Sequence, residues 1–396
     1  MKRQRILPVA FLLLGLLLLS HLRYKTGNIT DDAFITYRYA RNLADGNGLV
    51  YNAGERVLGA TTPLYAILMA GCIRLGLIPW QVSLILDIFF TAGIFLIIHK
   101  FASAAGRPAW AWLSFILIAS NPFSLFPVGG METGLFFFLV FAAFYCLTEE
   151  RFRAAAFCAL LTLFTRPEGI LTLALVLPLA LLNPRTSRLR KDFRKTLLIV
   201  LVPLIAAALL LSAYYGDIVP NSERAKQARV EQEIITHNYM DWFWGMQYFT
   251  AGDFQIVAIL EWLGLALMVL LIPAMRLPVL WFLLYLLFMD IGRAPMHLWY
   301  DTPPWYFRMM GLGMILHVAA RLLINATRHV IGKISAHVPG RSQERTPVVF
   351  ALSALLLFLL APALVAFSYQ IHLWAHYSGR NILDCKEYDR AALWVN

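Results

Sequence analysis

Nearly uncharged apolar runs, each close to the ~20 residues that carry a helix across hydrocarbon, recur along almost the whole of this 396-residue chain. No soluble core absorbs that many. The chain is 60% hydrophobic and 14% charged, against about half and about a quarter in ordinary soluble domains. Inside a bilayer the backbone has no water to bond. Each run must therefore satisfy its own amides and carbonyls, and is read as a helix. The expected fold class is an all-α polytopic membrane protein.

The runs fall at residues 6–22, 63–78, 82–99, 109–126, 133–147, 154–164, 169–182, 196–213, 254–272, 277–289, 307–323 and 348–368. If all of them crossed, the basic stretches 185–191 and 321–345 would lie outside, against the tendency of Lys and Arg to stay on the cytoplasmic side. Withdrawing 63–78 from the count resolves the conflict. That run is short, starts at Pro63 and contains Gly71 and Arg74, so it is read as lying along the outer interface or re-entering. Lys100, Arg107, Arg151, Arg153, Arg276 and the stretches 185–195 and 321–345 then all face inward. About eleven spans remain, with the N-terminus inside and the C-terminus outside. A rival arrangement joins 154–182 into one bent helix, but leaves Lys100, Arg107, Arg151 and Arg153 outside. The opening Lys2-Arg3-Gln4-Arg5 leads into 6–22, and no small-x-small cleavage site follows. It reads as an uncleaved first helix with a cytoplasmic N-terminus, in the cell (inner) membrane.

The formal charge of +11 sits in short loops between apolar runs and not in a stripe. It is read as membrane orientation, with the lipid bilayer as partner and no nucleic acid. Cys72, Cys146, Cys158 and Cys385 form neither a metal spacing nor a disulfide framework.

Five loops are left facing out (23–62, 128–133, 165–169, 214–253 and 290–306), with a tail from 370 to 396 beyond a membrane domain of 1–369. The first is the richest. Asp31 and Asp32 precede a helix expected from about Ala33 to Asp45-Gly46. One Asp suffices as an N-cap; a second carboxylate there has the chemistry of a general base. Arg38 and Arg41 lie one turn apart, placed to pair with the aspartates, to bind a phosphate, or to be solvated. Residues 49–57 read as a small hairpin with an Asn-x-Gly turn. Glu132 and the Arg166/Glu168 pair sit at helix ends, where ionisable groups mark a cavity or pair with each other. In the fourth loop a short amphipathic helix is expected after Pro220-Asn221. Lys226 is placed there for a phosphate or for lipid headgroups. The fifth loop holds His297, Trp299 and Tyr300, followed by Arg308, a cation just inside a span that requires an anionic partner: a lipid phosphate, a headgroup or Asp301. His297 has no companion at metal spacing.

The block Asp31-Asp32-Ala33-Phe34-Ile35, Arg38, Arg41-Asn42, Gly46-Asn47-Gly48 and Tyr51-Asn52-Ala53-Gly54-Glu55-Arg56-Val57 resembles the first outer loop of terminal arabinofuranosyltransferase-like proteins. Gly130-Met131-Glu132-Thr133, Thr165-Arg166-Pro167-Glu168-Gly169, and Pro220-Asn221-Ser222 with Ala225-Lys226 are similar to further blocks in the same order. The resemblance runs from about Asp31 to Arg308. It implies a GT-C-like bundle with short interfacial helices in its large first outer loop. It also implies an inverting glycosyltransferase that uses a polyprenyl-phosphate sugar donor and a glycan or glycolipid acceptor. Asp31 or Asp32 would be the general base. Arg166, Lys226 and Arg308 are the donor-phosphate candidates. Arg38, Arg41, Glu132, Glu168, Asn221, His297, Trp299 and Tyr300 are candidates for substrate contact. Residues 58–62 and Glu223-Arg224 depart from the family pattern, so the sugar is not carried over: arabinofuranose, another pentose or a hexose. Relatives often continue into an outward soluble domain, and 370–396 is read as the start of one or as the tail of a short member.

A transporter or flippase of lipid-linked sugars is the alternative. It would need repeated halves and midplane charges; the sequence has no internal repeat, and Asp87 is the main charge inside a run. No cofactor is expected. An aspartate pair does have the oxygen chemistry for Mg²⁺ or Mn²⁺, but the neighbouring basic residues offer phosphate neutralisation without a metal.

Overall fold

The computed structural model describes residues 31–120, 130–182, 190–222, 253–292 and 302–337, together with 224, 225, 228 and 300. The expected first span 6–22, the span 348–368, the tail 370–396, Lys226, His297 and Trp299 lie outside the described residues. Among the described residues every regular element is helical: α1 (Asp31–Ala44), α2 (Pro63–Arg74), α3 (Pro79–Ala104), α4 (Pro108–Ser120), α5 (Thr133–Thr148), α6 (Phe152–Thr165), α7 (Gly169–Leu182), α8 (Arg190–Tyr215), α9 (Asp253–Leu271), a short 3₁₀ turn (Pro273–Met275), α10 (Arg276–Ile291) and α11 (Thr302–His337).

Among the described residues four segments are long and apolar enough to cross a membrane: Pro79–Ala104, Phe193–Tyr215, Pro273–Ile291 and Thr302–Thr327. The expected count of about eleven includes the shorter apolar helices and segments outside the described residues. The 12-residue α2 is about 18 Å long, too short to cross a ~30 Å core alone. It packs against α1 through Tyr65, Met69, Ala70 and Ile73, which share a core with Ala33, Tyr37 and Ala40. On α8, Leu198, Leu201, Val202, Ile205, Leu209 and Leu210 stand exposed. A water-facing helix does not carry that surface; a lipid-facing one does.

The rival of one bent helix over 154–182 does not form. Arg166 precedes Pro167, and the proline's ring disfavours the helical conformation one residue earlier. Arg166 is accordingly extended (φ −154°, ψ 147°), and α6 stops at Thr165. The chain folds back, and α7 packs on α6. A Cβ on Gly169 would lie 2.2 Å from the backbone carbon of Thr162, so the hairpin closes only on glycine.

Aromatic side chains fill the centre of the bundle. Phe137 meets Tyr306 edge-on at 5.0 Å, and Phe282 stacks on Phe307 at 4.6 Å. α9 and α11 approach most closely where Gly264 meets Gly311: a Cβ on Gly264 would lie 1.9 Å from the Gly311 carbonyl oxygen. Small residues permit such contact, and packing there supplies much of the association between membrane helices.

The basic turns gather at one end. Lys100, near the end of α3, donates to the Tyr145 hydroxyl near the end of α5 at 2.7 Å. Arg107 lies in the α3–α4 turn, and its charge reaches His317 near the middle of α11. The start of α1, the start of α5 and the α6–α7 turn lie at the other end.

Gly264→Leu is expected to destabilise the fold by more than the 1–3 kcal/mol of ordinary overpacking, because the obstacle is backbone. Thermal unfolding in detergent measures it; an unchanged midpoint would contradict the glycine contact.

Candidate functional site

α1 starts at Asp31 and ends before Gly46, whose φ of +87° turns the chain out of the helix. The segment that follows was expected as a hairpin. It makes the turn, with Glu55 N–H donating to Asn52 O at 3.1 Å and the Asn52 amide to Glu55 Oε2 at 3.0 Å, but it forms no strand ladder. Side chains of α1 take its carbonyls instead. Asn42 Nδ2 donates to Val50 O at 2.9 Å and to Tyr51 O at 2.8 Å. Arg38 Nε donates to Tyr51 O at 3.1 Å, and the Tyr39 hydroxyl to Val57 O at 3.0 Å. The loop is thus laid along α1, with its backbone satisfied by side chains.

Tyr37 carries α1 to the next block, its hydroxyl donating to Gly130 O at 2.7 Å. Gly130 has φ +87°, which aims Glu132 into the bundle, where it is 2% exposed. There Arg166 Nη1 donates to Glu132 Oε1 at 3.2 Å and to Thr133 Oγ1 at 3.4 Å. The same guanidinium grips Glu168 in a fork, Nη2 to Oε1 at 3.0 Å and Nε to Oε2 at 3.3 Å. Its carbon lies 4.9 Å from the centre of the Tyr300 ring and 5.7 Å from that of Phe136. Tyr300 is itself fixed, because the Tyr285 hydroxyl donates to its carbonyl at 2.9 Å.

Burial pushes the Glu132 carboxyl above the usual carboxylate range. The Arg166 guanidinium pulls it back, and the Glu168 and Asp32 carboxylates add to the upward push. Asp32, half-buried in the first turn of α1, is therefore close enough for its charge to act on Glu132. Burial also works against the charge of Arg166, but the carboxylates of Glu168 and Glu132 outweigh it and hold the guanidinium protonated. Glu132 Oε2 is buried with no hydrogen-bond partner among the described residues. One cation thus stands between two carboxylates, with the charge of Asp32 reaching the nearer end of the pair at Glu132.

The fourth block closes over the first loop. Asn221 N–H donates to Leu58 O at 2.7 Å, and the Tyr215 hydroxyl bonds Leu49 O. Arg56 lies over the Tyr214 ring at 4.9 Å. Gly48, at φ +89°, leaves room for the Tyr214 hydroxyl, which a Cβ would meet at 2.2 Å. Asp217 accepts from Ile218 N–H at 2.7 Å and Val219 N–H at 3.0 Å, and pairs with Arg224. The expected helix after Pro220 begins at Asn221; its continuation lies outside the described residues.

The structure therefore gathers Glu132, Arg166, Glu168 and Tyr300 with Asp32 near Glu132, and ties Asn221 to the loop after α1. Arg38 serves the loop backbone, and Arg41 is half-buried on α1. Arg166 differs from an open phosphate ligand, since both faces of its fork are committed to carboxylates. Arg308 has an anionic partner that the sequence reading did not single out: Glu261 Oε2, at 2.6 Å from Arg308 Nε. Glu261 is 2% exposed in the middle of apolar α9. A lone acid in one apolar run and a lone Arg in another was the signal available for that pair. Arg308 also stacks on Trp305 at 4.5 Å. Asp87 is buried on α3, whose neighbouring residues Leu86 and Phe90 pack against the cluster of Tyr37 and Met131. Among the described residues no group of three or more His, Cys, Asp or Glu side chains is placed to hold a metal ion.

No family model matches the chain. Among curated proteins it is similar to a terminal beta-(1->2)-arabinofuranosyltransferase of Mycobacterium tuberculosis, 30% identical over 226 residues, which is 50% of this chain and 35% of that protein. The match thus spans about a third of the relative's length.

Removing Arg166 would leave two buried carboxylates facing each other. Arg166→Leu is expected to cost about 3–5 kcal/mol, read as a fall in thermal midpoint in detergent. Replacing Glu132 and Glu168 by Leu as well is expected to recover part of the loss. Equal stability of Arg166→Leu and wild type would rule out the buried clamp.

Proposed function

We propose that this chain is an inverting glycosyltransferase. It moves a sugar from a polyprenyl-phosphate donor to an acceptor hydroxyl on the outer face of the cell membrane, in the synthesis of a cell-envelope glycan or glycolipid. One observation carries the reading. Blocks that resemble glycosyltransferase sequence and lie far apart in the chain meet at one end of the bundle, opposite the basic turns. They meet around a carboxylate in the first turn of α1. The similarity to an arabinofuranosyltransferase supports the same class of reaction.

Asp31 or Asp32 is the general base. Its carboxylate takes the proton of the acceptor hydroxyl, and the freed oxygen attacks the anomeric carbon from the face opposite the phosphate. The bond from that carbon to the phosphate oxygen breaks, polyprenyl phosphate leaves with the electron pair, and the configuration inverts. A general base gains from nearby carboxylates, because they disfavour its own negative charge and so raise its proton affinity. With its guanidinium paired to Glu132 and Glu168 and the Asp32 charge acting on Glu132, the cluster suits proton abstraction better than phosphate binding. The cations for the leaving phosphate are Lys226 and Arg308, the latter held in orientation by Glu261; they stabilise the charge that develops there. Arg166 is a positioning residue, which holds Glu132 and Glu168 beneath α1. Tyr300, with His297 and Trp299 beside it in sequence, supplies the sugar-facing surface, and the acceptor enters over the first outer loop.

Sugar transfer from a polyprenyl-phosphate donor in nanodiscs tests this. Either Asp31→Asn or Asp32→Asn is expected to lower the rate at least ~100-fold, the scale of acid–base catalysis, without loss of folded protein. If wild type translocates the intact donor and transfers nothing, the protein is a flippase. Normal transfer by both variants would remove the aspartates from the mechanism.

A further inference from the structure

At the end of the bundle away from the candidate site, α4 and α11 pack closely. A Cβ on Gly313 would lie 2.6 Å from Ser114 Oγ, and Trp110 Nε1 donates to Met310 O at 3.0 Å. Just below this contact, on the inner side by the charge rule, stand Arg107 in the α3–α4 turn and His317 and Arg321 on α11. His317 is 5% exposed, and its Nε2 is buried without a hydrogen-bond partner among the described residues. Arg107 Nε is likewise buried and unpartnered. The charges of Arg321 and Arg107 both bear on the imidazole, so the three side chains share one neighbourhood. Among the described residues neither guanidinium has a carboxylate partner.

Arg321 is exposed and Arg107 half-buried, so the cost falls on the two buried donors, Arg107 Nε and His317 Nε2, which lack an acceptor; an anion at this place would supply one. Arg166 and Arg308, the cations paired inside the bundle, are by contrast each matched by carboxylates within the chain. Position narrows the anion. Arg321 lies 19 residues into α11, about 28 Å along its axis, which is the depth of the opposite headgroup layer in a ~30 Å bilayer. A tetrahedral phosphate accepts from two guanidinium groups and one imidazole at once, and basic pockets between helices at this depth suit lipid headgroups.

We propose that Arg107, His317 and Arg321 form a phosphate-binding site for an anionic phospholipid headgroup at the inner end of the α4–α11 contact. The site is separate from the transfer chemistry and does not rest on it. A bound headgroup would accept from both guanidinium groups, offset one of their two charges, and brace α11 against the α3–α4 turn.

The test uses the full chain purified in detergent, with binding followed by native mass spectrometry and by the thermal midpoint. The probes are dioleoyl phosphatidylglycerol, dioleoyl phosphatidylcholine and inorganic phosphate. Phosphatidylglycerol is expected to raise the midpoint where phosphatidylcholine does not. The double variant Arg107→Gln/Arg321→Gln is expected to bind it roughly 25-fold more weakly, the effect of two basic side chains at a membrane surface. Arg107→Lys/Arg321→Lys retains the charges and is expected to retain most of the response, which guards against a folding defect. A response to inorganic phosphate alone, lost in the Gln variant, assigns the same site to a soluble phosphate and overturns the lipid assignment. Equal responses to the two lipids, or an equal loss in Arg151→Gln/Arg153→Gln, would overturn the site.

Discussion

A guanidinium taken out of water and held among helices has to be matched by carboxylates, and Arg166 is matched twice. The fork to Glu168 is local, two residues along the chain, and it fixes the α6–α7 turn. The bond to Glu132 spans the bundle and fixes that turn against the start of α5. Because Glu132 follows the Gly130 turn, and the Gly130 carbonyl receives the Tyr37 hydroxyl, the same chain of contacts reaches α1 and its aspartates. Three stretches that are remote in sequence thereby share one buried electrostatic centre. The arrangement is over-determined: the geometry of Glu132 is set both by the glycine turn beneath it and by the cation in front of it. That rigidity suits a site where a carboxylate must be held to within a fraction of an ångström.

Much of this was legible in the residues. The apolar runs dictated an all-helical membrane bundle. Pro167 and Gly169 predicted a break, and the charges beside that break marked it as more than a loop. The short run behind Pro63 stood apart for its proline, glycine and arginine, and it does form a helix too short to cross alone. The partners of the cations were harder to read. Sequence spacing shows Arg166 beside Glu168 but not the second carboxylate, Glu132, because that contact depends on how α5 and the α6–α7 turn pack. Arg308 called for an anion, yet Glu261 is about fifty positions away, and only the glycine contact between α9 and α11 brings them together. The hairpin expected over 49–57 was a reading of propensity. The turn formed, but α1 supplied Asn42, Arg38 and Tyr39 as donors, so the segment had no need of a strand partner.

The similarity to an arabinofuranosyltransferase and the geometry bear on different questions. The first concerns the class of reaction; the second shows which side chains meet, and it joins α1, the Gly130 turn and the Arg166 turn, with Asn221 tied to the loop after α1. At the other end Lys100 and Arg107 stand without a carboxylate partner among the described residues, whereas Arg166 and Arg308 are paired with carboxylates.

The brevity of α6 and α7 has a further consequence. At 14 residues each they measure about 21 Å, whereas α3 and α11 run well past the ~30 Å of hydrocarbon. Where hydrophobic helices are shorter than the hydrocarbon, lipid thins to meet them. The turn between these two carries Arg166 and Glu168. In the glycosyltransferase proposed above, local thinning would bring a membrane-dissolved polyprenyl-phosphate donor toward that turn without the donor leaving the bilayer.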